Sequence, residues 1–467
     1  MTEPGGAPET GPREAEEADP FRDHARELLE TTQSALASGD VRRLEELVEA
    51  EHAADVAYLL EQLDPEERRL FIAATRHALD PETLSHLDET VREEVLELLT
   101  PHEVAAAVAE LDSDDAVDIL EDLDEEQKRR ILESIPPEER AIIEEGLTYP
   151  EDSAGRLMQR ELVAVPAYWT VGECIDYLRT ASDLPDDFYD LFLVDPAHKP
   201  VGSVPLSRAM RNRRNVRLSD IMETDLRTVH VAMDQEAVAH LFRSYALVSA
   251  PVVDDSGRLL GVITVDDVVH VIDEEAEEDL LSLAGVGDTD FHAPPVETAW
   301  RRFRWLVVTL INTLIASTVI SQFDSTIEQL VPLAILMPIV AAMGGNAGMQ
   351  VVTVMVRAIA TRDLSPGANV WRAIAKELLV AALNAVVFAA IMGTVAALWF
   401  HNLALGVVLG AAMIFNMLWA GLAGTLIPLT LTRLGVDPAI GAGPFLTTTT
   451  DVLGFFSFLG LATLFLV

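Results

Sequence analysis

The sequence predicts a multidomain membrane protein built from an α-helical solenoid, a tandem α+β pair and an all-α domain of five transmembrane helices. Three observations carry that prediction. Five apolar stretches crowd the last third of the chain, an acidic 12-residue repeat fills residues 63–140, and β-rich runs with a period near 60 lie between them. Charge divides in the same way. Residues 299–467 hold six acids against eight bases, so residues 1–298 carry −45 against a total of −43. Such a soluble part repels nucleic acid and anionic lipid heads. The single cysteine, Cys174, allows no internal disulfide and suits a reducing compartment. The opening MTEPGGAPETGPREAEEADP is polar, acidic and rich in Gly and Pro, which reads as a disordered tail over 1–24 with no signal peptide.

Residues 25–150 form the first predicted domain. Leu87, Leu99, Leu111, Leu123 and Ile135 recur every twelve residues, and Leu63 fits two periods earlier. Each is followed by Asp, Thr or Pro and then acids, as in LDPEER, LTPHEV and LDEEQK. Those residues open a helix, and acids in its first turn suit the macrodipole. Each unit is a short helix plus a tight turn, too small to bury its apolar stripe alone, so the units must stack.

The α+β pair covers 151–215 and 216–275. LMQRELVAVPAYWTVGECIDYLR (157–179) answers IMETDLRTVHVAMDQEAVAHLFR (221–243), and LFLVDPAHKPVGSVPLSRA (191–209) answers APVVDDSGRLLGVITVDDV (250–268). Residues 276–304, dense in carboxylates, include a helix that leads to the first span.

A transmembrane helix needs about 20 mostly apolar residues. Five stretches qualify, near 305–322, 328–357, 375–400, 403–432 and 438–466. All eight bases of this region (Arg301, Arg302, Arg304, Arg357, Arg362, Arg372, Lys376 and Arg433) fall in alternate connections. By the positive-inside rule that side is cytoplasmic, which puts the N-terminus inside and the C-terminus outside.

Two spans are poor anchors. The second contains PIVAAMGGNAGMQ, where Pro338, Gly344 and Gly345 weaken the helix and Asn346 and Gln350 are polar. Close helix packing explains the glycines; a pore wall explains the polar pair as well. Asn416 in the fourth span fits either interhelical bonding or a pore. In the fifth, Asp437 precedes Pro438 as an ordinary N-cap, but Asp451 lies fourteen residues further on, about 21 Å along a helix. A carboxylate at that depth costs a few kcal/mol unless hydrated or paired. Thr447 and Thr448 share its face and offer hydroxyls. One carboxylate with hydroxyl and carbonyl oxygens suits a hydrated hard cation such as Mg²⁺, and no His or Cys cluster in the spans suggests Zn²⁺ or Cu²⁺. Two copies about a two-fold axis would bring two Asp451 carboxylates to one ion.

The β-rich segment resembles a tandem pair of CBS domains. That likeness implies a site for ATP or another adenine nucleotide at Gly261, Thr264 and Asp267, although Thr264 and Asp267 also suit a plain helix cap. The whole arrangement, with GGNAGMQ (344–350), RAIATRDL (357–364) and GVDPAIGAGPFLTTTTDVLG (435–454), resembles the MgtE family of magnesium channels or transporters. The resemblance implies a homodimer in the plasma (inner) membrane with a pore on the dimer axis. Asp451, Asn346, Thr447 and Thr448 would then line the ion path, with Mg²⁺ as substrate. It also implies cytoplasmic sensing of Mg²⁺ by Asp114, Asp118, Asp254, Asp266, Asp288, Asp290 and Glu297, closing the pore through the 276–304 segment. Asp114 and Asp118 stand at i, i+4, a like-charge pair that a cation relieves. Two positions depart from the family pattern: Gly443 and Ser256 stand where some relatives carry Asn and Glu. A coupled Mg²⁺/Co²⁺/Mn²⁺ transporter or exchanger is the alternative, and a membrane-anchored sensor a more distant one. No nucleophile–base pair or phosphate loop suggests an enzyme.

Overall fold

The first domain folds as a run of helices, the 12-residue repeat supplying those after α3: α1 (Pro20–Ser38), α2 (Val41–Val48), α3 (Ala53–Gln62), α4 (Pro65–Thr75), α5 (Glu82–Ser85), α6 (Glu89–Leu98), α7 (Pro101–Val108), α8 (Ser113–Glu121), α9 (Glu125–Leu132) and α10 (Pro137–Gly146). From Glu89 onward a helix begins every twelve residues. The starts are fixed by side chains. Asp64 caps α4 and Thr100 caps α7, each in a reciprocal box with the Glu three residues on, and Asp124 caps α9. The repeated Leu87 and Ile135 are buried and Leu99, Leu111 and Leu123 half-buried, all against one apolar cluster that runs from Leu28 to Ile143. Alternate helices pack together, α4 on α6, α7 on α9 and α8 on α10, as a stacked solenoid requires. Two buried arginines tie neighbours: Arg68 donates to the Leu60 and Leu63 carbonyls and pairs with Glu94, while Arg92 pairs with Asp118 at 2.5 Å.

The structure is a computed structural model, and it describes residues 20–121, 123–181, 184–185, 187–286, 295–362, 364 and 368–467. The chain divides into two units, Met1–Val271 and Ile272–Val467. In the first unit the solenoid is followed by two three-stranded sheets. One holds β1 (Ala164–Pro166), β2 (Asp190–Val194) and β3 (Pro200–Pro205); the other holds β4 (Val229–His230), β5 (Ser249–Val253) and β6 (Leu259–Thr264). In each, the first strand pairs parallel with the second and the second antiparallel with the third. Each also shifts register at the matching place, Leu193/Val194 and Val252/Val253. Helices α11 (Val171–Thr180) and α12 (Leu206–Arg211) accompany the first sheet, α13 (Gln235–Tyr245) and α14 (Val265–Leu283) the second.

The two copies exchange their leading segments. Gln159, ahead of β1, bridges to Val262 in β6, and Glu223, ahead of β4, bridges to Ser203 in β3. Glycine is required at both crossings. A Cβ on Gly261 would lie 2.6 Å from the Gln159 carbonyl oxygen, and one on Gly202 the same 2.6 Å from that of Glu223. The copies also share an apolar seam of Phe192, Leu259 and Val262.

The second unit receives the chain from α14, which continues without a break past residue 275 to Leu283 and ends in a turn at Gly285. Five helices are long and apolar enough to cross a membrane. They are α15 (Pro295–Ser321), α17 (Pro332–Ala360), α18 (Ala368–Trp399), α19 (Leu403–Arg433) and α20 (Pro438–Phe465), with the short α16 (Asp324–Gln329) between the first two. Helix α19 is central: it packs on α17, α18 and α20. Its approach to α18 relies on small residues, since a Cβ on Gly393 would stand 2.8 Å from the Gly406 carbonyl oxygen. The first span packs along α20 but keeps few fully buried residues.

Candidate functional site

Two sets of polar groups stand out, one in each unit. In the membrane unit, α17 exposes Asn346, Gln350, Thr353 and Arg357, spaced four, three and four residues apart, which is one stripe of a helix. On α20, Asp451 is half-buried, Thr447 one turn before it is exposed, and Thr448 is half-buried. The hydroxyls do not reach the carboxylate. Thr447 donates to the Gly443 carbonyl at 3.0 Å and Thr448 to that of Pro444 at 2.7 Å, which leaves their lone pairs free to accept. Thr449 and Thr450 bond back to Leu446 in the same way, and Thr450 is fully buried. Asp437 accepts from the Ala439 N–H as the N-cap of α20.

Pro444 lacks the N–H that would bond the Ile440 carbonyl inside α20, and Asn312 Nδ2 of the first span donates to the neighbouring Pro444 carbonyl at 3.3 Å. Sequence reasoning passed over Asn312, although a lone Asn in an apolar span was the available signal. Gly443 faces Met349: a Cβ there would lie 3.3 Å from its methyl group.

The second set lies in the first unit. Ser113, at the start of α8, is tied to the segment ahead of β1. Its Oγ donates to Glu161 at 2.8 Å and accepts from the Arg160 N–H at 2.7 Å. That same segment pairs with β6 through Gln159, and β6 runs directly into α14. The first turns of α8 and α14 therefore come together, and each carries two acids.

Asp114 is buried, and its carboxyl is held well above the usual carboxylate range by burial first and then by Asp267, Asp115 and Asp112. Asp115 is pushed up to about 7 by burial and by Asp267, Asp118 and Asp112. Asp267 is also raised, by burial first, with Asp266 adding to it while the Thr264 hydroxyl, donating at 2.7 Å, opposes it. Three carboxyls thus act on one another in a poorly hydrated space, with His270 near Asp267 and His86 against His270. They are hard oxygen donors, but they do not each bring an oxygen within 4.8 Å of the others, so one ion would have to draw them closer to bind all three.

The other sequence-predicted acids are placed differently. Asp118 turns to the buried Arg92. Asp254 organises its own turn, accepting from the Ser256 N–H at 2.9 Å, the Ser256 hydroxyl at 2.7 Å and the Arg258 N–H at 2.8 Å, and these bonds lower its carboxyl. Asp266 is exposed beside Asp267. Asp288 and Asp290 lie outside the described residues, as does the side chain of Glu297. Thr264 and Asp267, the pair expected to hold a ribose, are bonded to each other. Gly261 serves the crossing with Gln159. Asp115 and the meeting of Asp267 with α8 were not foreseen.

Comparison with known proteins agrees with this layout. Residues 337–461 match the family model described as MgtE, divalent cation transporter; 51–152 match the MgtE intracellular N domain and 218–274 a CBS domain. The magnesium transporter MgtE of Thermus thermophilus is 34% identical over 447 residues, covering 94% of this chain and 98% of that protein. The chain belongs to the MgtE family. Within that family, MgtE of Enterococcus faecalis is 34% identical over 70% of this chain and 72% of its own length, and MgtE of Bacillus subtilis 29% identical over 92% and 96%. A solved cytosolic domain of the Mg²⁺ channel MgtE in complex with ATP covers 52% of this chain and 99% of its own, with 34% identity and a TM-score of 0.49. The five apolar helices and the family together make this a membrane protein.

Proposed function

We propose that the chain is a Mg²⁺-selective channel for magnesium uptake across the plasma membrane, closed from the cytoplasmic side when internal Mg²⁺ is high. The observation that carries the reading is Asp451. It is a half-buried carboxylate in the interior of a long apolar helix, and among the described residues no base pairs with it. An acid at membrane depth is tolerated where water or a cation reaches it. The exposed stripe of Asn346, Gln350 and Thr353 needs the same solution, since lipid cannot bond these groups. Two copies related by a two-fold axis would enclose both sets in one hydrated path. Mg²⁺ keeps several waters, so it suits a site of few carboxylates and many neutral oxygens. Asn346, Thr447 and Thr448 are the neutral groups of that path.

Sensing is assigned to Asp114, Asp115 and Asp267, with the exposed Asp266 at the rim. A cation that drew these acids together would lock the first turn of α8 to that of α14. An adenine nucleotide at Thr264 and Asp267 would have to share Asp267 with that cation. Orientation follows the eight bases, with the acidic part inside.

The reading is tested with full-length protein in liposomes under an imposed potential. Asp451→Ala is expected to abolish Mg²⁺ flux, and Asp267→Asn to leave flux that no longer shuts off as internal Mg²⁺ rises. Wild-type flux in the first variant would remove Asp451 from the path. Coupled exchange, the second reading, would show as flux that stops when a Na⁺ or H⁺ gradient is collapsed.

A further inference from the structure

Asn416 is fully buried in the middle of α19. Its Nδ2 donates to the Val340 carbonyl of α17 at 2.9 Å. The side chain fills a notch made by two glycines on different helices. A Cβ on Gly344 of α17 would fall inside the amide, and one on Gly454 of α20 would come within 2.7 Å of Nδ2. One amide therefore seats two helices at once, and neither glycine can be replaced without moving it.

Those helices carry the groups of the ion path. Gly344 is two residues before Asn346, and Gly454 is three residues after Asp451, so the wedge sits within about 5 Å of axial rise of both. Among the described residues no donor reaches Asn416 Oδ1. The amide is held by a single hydrogen bond and by shape, which makes its seating sensitive to either.

We propose that Asn416 is a positioning residue for ion selection: it fixes the spacing between the helix bearing Asn346 and the helix bearing Asp451. The proposal rests on the reading of Asp451 as the ion site. Mg²⁺ demands near-ideal octahedral geometry at short distance, whereas Ca²⁺ accepts a larger, more flexible oxygen shell. Loosening the wedge should therefore affect discrimination before it affects conduction. Packing alone is a different matter, because small residues at this seam would keep the helices together without fixing their register.

The test uses the full chain reconstituted in liposomes, with Mg²⁺ and Ca²⁺ as competing probes. Asn416→Ala is expected to fold and conduct, with the Mg²⁺-over-Ca²⁺ preference reduced roughly three- to tenfold, the range that one net hydrogen bond covers. Gly344→Ala alone should fail to assemble. Combined with Asn416→Ala it should assemble again, because the new methyl group enters the vacated space, yet keep the relaxed selectivity. Gly454→Ala, which crowds the amide from the other side, should relax selectivity too and serves if Asn416→Ala does not fold. Unchanged preference in Asn416→Ala, or full recovery of it in the double variant, overturns the proposal and leaves Asn416 as packing. Flux that persists in Asp451→Ala would instead overturn the ion-site reading beneath it, so the two failures are separable.

Discussion

Asp115 gives the first unit a pH signature whose sign can be worked out. Its carboxyl is raised from the ordinary aspartate value of 3.8 to about 7, so the fold favours the protonated form. The associated stability is full below the unfolded value and is lost as pH climbs through the folded one. With divalent ions chelated, the melting temperature of the first unit should fall between pH 4 and pH 7. Asp115→Asn should flatten that slope and melt a few degrees higher at pH 8. Calorimetry in EDTA checks this, and a variant with the wild-type slope would remove Asp115 from the strained set. Sequence could nominate Asp114, because acids at i and i+4 repel on any helix. It could not supply Asp267 as the partner, since that meeting depends on Gln159 pairing with Val262, over a hundred residues away. Nor could it divert Asp118, whose carboxylate is drawn off by the buried Arg92. Asp451 was legible for the opposite reason: a lone charge in a greasy helix needs no partner to be conspicuous.

The helices and strands were more legible than the individual side chains. Helix starts every twelve residues follow from caps and leucines that are local in sequence, and the five spans follow from length and apolarity alone. The duplicated sheets could be read from their period, but the exchange of leading segments could not, because it is a contact between copies. It yields a matched prediction. Gly202→Ala and Gly261→Ala each force a methyl group against a backbone carbonyl that cannot step aside, so each should cost about 1–3 kcal/mol in urea unfolding. Gly345→Ala, with nothing within 4 Å of its Cβ, should not destabilise the fold. A large difference between the first two would contradict the symmetric crossing. Helix α14 runs without a break to Leu283, since nothing in DEEAEEDLLSL breaks a helix.

At the scale of the whole molecule the acidic part works against itself, with −45 on residues 1–298. Monovalent salt screens such charge beyond about 8 Å at physiological strength, but it cannot bridge carboxyls that share one poorly hydrated space. Millimolar Mg²⁺ should therefore protect the 272–298 segment from proteolysis well beyond the effect of NaCl at equal ionic strength. Equal protection by both salts would reduce the sensing to screening.

The crossed leading segments also bear on how the chain is made. Gln159 leaves the ribosome long before its partner Val262, and Ser203 waits for Glu223 in turn. At about 5–20 residues per second, the first segment stays unpartnered for roughly 5–20 s, while the acidic solenoid is already complete. The exchange thus cannot be completed until β6 is synthesised, and by then the first apolar span is approaching the exit tunnel. Folding of the soluble part and delivery to the membrane are set to fall within the same few seconds.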